Sequence, residues 1–127
     1  MTLTGARIQR TARRTATGLP DVSHDRPFTP KLDVYKTAGK VFLIVTDAPD
    51  EPADQIITVK CEPEQGGSLR MRYESIVPGR YLSKAHWISV GAGPDITADL
   101  IEYLVSHSYD LVHGPPPKDA SLSQGIR

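Results

Sequence analysis

Apolar and polar positions alternate most clearly in LDVYKT-AG-KVFLIVT, residues 32–46. A period of two marks a strand with one buried face, and the two-residue Ala38-Gly39 break between such runs reads as a hairpin turn. Strands are therefore expected over 32–37 and 40–46. A third, QIITVKC, is expected over 55–61, and a fourth, HWISV, over 86–90. Alternation sets Leu32 and Val34 inward and Asp33 and Tyr35 outward. In the last strand it sets Ile88 and Val90 inward with His86 beside them, and Trp87 and Ser89 outward.

Other segments follow a helical period. Over 6–16, Ile8, Ala12 and Thr15 lie on one stripe and Arg7, Arg10 and Arg14 on the opposite one, with Gly18 and Pro20 as the stop. Pro63 is suited to the first turn of a second helix, but Gly66 and Gly67 each cost about 1 kcal/mol there, so firm helix is expected only over 68–74. The third helix follows Asp95 as N-cap, turns Leu100, Ile101, Leu104, Ser108 and Leu111 inward, and ends at Gly114 and the prolines at 115–117. Residues 21–30 read as a turn-rich connector and DAPDEPAD, 47–54, as an acidic loop broken by proline. Helices and hairpin-linked strands in this order predict an α+β domain, helices packed on one face of an antiparallel sheet. One domain is expected over 1–118, with a tail over 119–127.

Composition narrows the class. The chain has 127 residues, 39% hydrophobic and 24% charged, which suits one soluble core. No apolar run is long enough to span a membrane, so no membrane association is expected. One cysteine, Cys61, excludes a disulfide within the chain and fits a reducing cytoplasm. Formal net charge is zero but unevenly spread: residues 1–19 hold four arginines and no acid, leaving 11 basic against 15 acidic residues in the remainder. A dedicated duplex-DNA binder is usually basic overall.

Candidate chemistry gathers in PGRYLSKAHWISV, 78–90. Two roles are open to Trp87: base stacking beside Lys84 and Arg80, with Tyr35 on the same side, or packing under a loop. His86 sits among apolar strand neighbours, which suits a half-buried structural histidine, and no nucleophile or second acid accompanies it. No enzyme activity is expected. The four histidines are scattered without metal-site spacing, so no metal and no cofactor are expected. Cys61 ends a buried strand and reads as a core thiol.

Certain short motifs, taken together in order, carry a resemblance. They are Pro27-Phe28, GKVF (39–42), KCEP (60–63), Pro78-Gly79, Lys84-x-His86-Trp87, SYDLV (108–112) and Pro117-Lys118. Over about residues 6–118 the chain resembles the MmcQ/YjbR-like family of small bacterial proteins. The resemblance implies an α+β fold similar to secretion-chaperone and frataxin-like sandwiches, DNA as the ligand, and structural roles for His86 and Tyr109. Members commonly carry Asn and a base where this chain has Ser83 and Ala85, leaving Arg80 to compensate. The expected DNA contacts are Arg7, Arg10, Arg14, Arg80, Lys84 and Lys118 to phosphate, and Tyr35 and Trp87 to bases. The alternative is a protein-interaction or chaperone-like module, which the zero net charge and uneven surface also suit.

Overall fold

The expected hairpin supplies the centre of the fold. In the computed structural model, which describes residues 3–26, 32–46, 56–79 and 83–114, β2 (Leu32–Thr37) and β3 (Lys40–Thr46) pair antiparallel. Ala38 and Gly39 both have positive φ, 54° and 76°, as a type I′ turn requires. β4 (Ile57–Lys60) adds to β3, and β6 (Trp87–Val90) to β4. Two edge strands complete a six-stranded antiparallel sheet in the order β1-β2-β3-β4-β6-β5. These are β1 (Val22–Asp25) and β5 (Ile76–Pro78). Neither has enough alternating apolar positions to be read as a strand, and β1 lies within the expected connector. Its strand character comes from pairing with β2, from Val22 opposite Thr37 to Asp25 opposite Val34.

All three helices cover one face of the sheet. α1 (Gly5–Thr17) starts where Thr4 Oγ1 accepts from the Arg7 N–H at 3.2 Å and buries Ile8, Thr11, Ala12 and Ala16. Thr15 is half-buried, one position off the expected stripe. The alanines let α3 (Ala98–His113) lie close beside α1, and both pack over β3 and β4. α3 is capped by Thr97, whose hydroxyl accepts from the Leu100 N–H at 3.2 Å. Asp95, the expected cap, has φ 66° and belongs to the preceding turn. Ile101, Leu104, Val105, Ser108, Tyr109 and Val112 are buried on α3, whereas Leu100 and Leu111 lie at the margins.

α2 (Pro63–Arg72) is regular from its first residue, against the expectation of a weak start. Gly66 is the reason. A Cβ there would stand 2.9 Å from Cys61 Sγ and 3.5 Å from Ile88 Cγ2, so the glycine lets the helix press onto β6. The core joins Ile8 and Ala12 to Phe42, Leu43, Val59, Ile88 and Leu104. Within it, Ser108 Oγ donates to the Phe42 carbonyl at 2.6 Å and accepts from the Lys60 N–H at 2.9 Å. The β3–β4 ladder ends at Leu43 and Val59, so this one hydroxyl joins the two strands where their direct pairing stops.

Candidate nucleic-acid interface

Strand register decides what the face away from the helices presents. Val59 and Ile88 pair across β4 and β6 and point into the core, so the next pair, Lys60 and Trp87, points the other way. Directly opposed side chains on one face sit about 5 Å apart at Cβ, so Lys60 and Trp87 leave neighbouring points of the same face. Thr58 and Ser89, one pair further in, join hydroxyls at 2.8 Å on the same outer face. Lys36 and Val41 pair across β2 and β3 on this face too. Lys36, Val41, Lys60, Val77 and Trp87 are all half-buried, while Val34, Ile44, Thr58 and Ser89 are buried. The open part of the outer face is therefore the end that carries the lysines and the tryptophan.

The turn preceding β6 is tied to this end by its backbone. His86 N–H donates to the Ser83 carbonyl at 3.1 Å, and Cys61 N–H donates to the His86 carbonyl at 2.9 Å. Gly79 N–H donates to the Trp87 carbonyl at 2.7 Å. A Cβ on Gly79 would come within 2.5 Å of Trp87 Cβ, so only glycine allows this approach. Lys84 is exposed at the rim. The His86 side chain is exposed, not half-buried: strand pairing begins only at Trp87, so the inward direction that alternation gave residue 86 does not apply.

Tyr35 is not on this face. Its ring is 2% exposed on the helix-covered side, which removes it as a base-stacking group and corrects the outward assignment of Asp33 and Tyr35. The cause is Arg13, which enters from α1. Its Nη1 donates to Asp33 Oδ2 and to the Tyr35 hydroxyl, the latter at 3.3 Å. Asp33 is fully buried; Arg26 Nη2 lies 3.7 Å from Oδ2 and His24 Nε2 2.9 Å from Oδ1. Oδ1 nonetheless accepts no aligned hydrogen bond. The His24 ring stacks on Tyr35 with centroids 4.7 Å apart. Burial alone would lower the Arg13 pKa, but its bonds to Asp33 and Tyr35 outweigh that and raise it. Burial pushes the Tyr35 phenol up.

The remaining expected contacts fall elsewhere. Arg7, Arg10 and Arg14 are exposed along α1, on the helix side, where Arg14 Nη2 lies 3.8 Å from Glu102 of α3. They do not join Lys84 and Trp87 in one surface. Arg80 and Lys118 lie outside the described residues, as does the tail expected over 119–127. Tyr109 is buried, donates its hydroxyl to the Pro20 carbonyl at 2.7 Å, and meets Phe42 edge-on. Cys61 is buried, and burial raises its thiol pKa. Lys36 and Lys60 were missed as candidates, although alternation from inward Val59 would have placed Lys60 outward. Among the described residues no helix is long and apolar enough to cross a membrane, and no three His, Cys, Asp or Glu side chains gather as for a metal ion.

A three-helix layer on one side of an antiparallel sheet, with cations and one indole on the open end of the other side, defines a two-layer α+β domain. Residues 17–111 match the family model YjbR, and the chain belongs to that family. It is 36% identical over 105 residues to the uncharacterised protein YbdF of Escherichia coli O157:H7, covering 83% of this chain and 84% of that one. To the uncharacterised protein YjbR of Escherichia coli K12 it is 32% identical over 79 residues, covering 62% and 64%. The crystal structure of Deinococcus radiodurans protein DR2400 superposes with a TM-score of 0.72 at 25% identity, over 91% of this chain and 86% of that one. A Pseudomonas syringae protein superposes with a TM-score of 0.65 at 27% identity, over 82% and 97%.

Proposed function

We propose that this is a non-enzymatic cytoplasmic protein that binds nucleic acid, DNA foremost, through the open end of its outer sheet face. The single observation that carries this reading is the pairing of Lys60 with Trp87 on that face. An indole offers every base the same π surface, and lysines around it meet the phosphates on either side, a combination suited to single strands. Lys36 and Lys84 extend the cationic border. His86 takes part only through its backbone among the described residues, which favours a binding role over proton-transfer chemistry.

Trp87 is the only tryptophan in the chain, so its fluorescence reports on this site alone. Adding a single-stranded oligonucleotide to the full-length protein should quench it. With three lysines on phosphate, log K should fall against log salt with a slope of about −2, at roughly −0.7 per phosphate on single strands. Trp87→Ala should cost about 1–3 kcal/mol in binding and leave that slope nearly unchanged. No quenching and no retention of any single strand at low salt would overturn the reading. A protein-interaction role would then lead, favoured by Met71, 91% exposed on α2.

A further inference from the structure

The fold separates the two sets of cations that the sequence joins. Arg7, Arg10 and Arg14 follow one outer edge of α1, over about 10 Å of helix at 1.5 Å per residue. No acid lies within residues 1–19. Among the described residues the stripe meets one carboxylate, Glu102, and only at Arg14. The fourth arginine, Arg13, is turned inward to Asp33 and takes no part. Lys36, Lys60 and Trp87 lie across the core on the far side of the sheet. The two surfaces also differ in kind. The α1 stripe has guanidinium groups and no aromatic side chain, which suits phosphates without selecting exposed bases. The sheet surface includes an indole, that of Trp87 at the start of β6, and suits unstacked bases.

We infer that α1 is a second, independent phosphate-binding surface, and that one molecule holds two nucleic-acid segments at once, a duplex on α1 and a single strand on the sheet. This rests on the nucleic-acid reading of the sheet face. DNA stays stiff over about 50 nm, so a duplex lying on α1 cannot curve round the domain to reach the opposite side. A second segment must occupy it. The zero net charge means that two narrow cationic tracks are balanced by acidic residues elsewhere on the molecule.

Immobilised duplex, full-length protein and a fluorescent single strand of unrelated sequence test this directly. The wild type should retain the labelled strand on the duplex, and sedimentation should give one protein copy per pair of segments. The triple variant Arg7→Ala, Arg10→Ala, Arg14→Ala should lose duplex retention by about ten-fold or more yet still bind the single strand in solution. Trp87→Ala should keep the duplex and lose the strand. If wild type binds the single strand but never both, or if both variants lose both ligands together, the two-surface inference fails while the sheet-face reading stands. Two protein copies in each bridged complex would also overturn it. Loss of single-strand binding by the wild type itself would remove the reading beneath it.

Discussion

The two faces of the sheet use similar side chains for opposite ends. On the covered face Arg13, Arg26 and His24 surround Asp33, and Tyr35 lies against them. On the outer face Lys60 adjoins Trp87 with no carboxylate in register. What differs is the buried acid. A carboxylate taken out of water must be compensated, so Asp33 commits its cations to holding α1 and β1 against β2. Where no acid is supplied, cation and ring keep their capacity for a ligand. An aromatic residue near a base is therefore a binding candidate only after its acids have been located.

Removing Asp33 should break this contrast most forcefully. Asp33→Ala leaves Arg13 and Arg26 facing each other at the margin of the core, and chemical denaturation should show a loss of about 3 kcal/mol. The low end of the range for a broken buried pair applies because Arg13 keeps partial contact with water. Lys60→Ala should stay within about 0.5 kcal/mol. Comparable losses for the two would show that the inner cluster is not the structural one.

Alkaline pH sharpens the contrast with a smaller effect. Burial raises the pKa of Tyr35 and of Cys61, so the fold holds these protons more tightly than the unfolded chain. Their stabilising contribution is full below the unfolded values, about 8.5 for the thiol and about 10 for the phenol, and is lost as pH rises through the folded ones. Unfolding midpoints should fall over that range. Tyr35→Phe with Cys61→Ala should flatten the fall, and an unchanged profile would contradict the burial of both groups. The smallest effect belongs to Arg14 and Glu102, largely exposed and 3.8 Å apart. A double-mutant cycle should give under about 0.5 kcal/mol and vanish in high salt.

The hairpin at 32–46, the α1 boundaries to within a residue and the one-sided helix layer were all legible from periodicity. So was the outward direction of Trp87, because Ile88 and Val90, one and three positions further on, are unambiguously core. Asp33 and Tyr35 were misread for the opposite reason: a polar residue counts as outward by pattern, and its partner Arg13 lies twenty residues away on another element. In β2 both faces are buried, so Val34 carried no information about side. β1 was hidden because VSHD has one apolar residue in four, and only the edge of β2 makes it a strand. The Ser108 bridge between β3 and β4 is likewise invisible until the sheet order is known.

Both margins of the sheet are poor templates for another strand. β5 is three residues long and ends on Pro78, which offers no N–H to a neighbour. β1 spans four residues, and His24, Asp25 and Arg26 at its end are exposed. Short margins bearing proline or charge resist edge-to-edge growth, the first step toward ordered aggregates. Crowded at high concentration, such molecules can lie side by side without zipping into fibres.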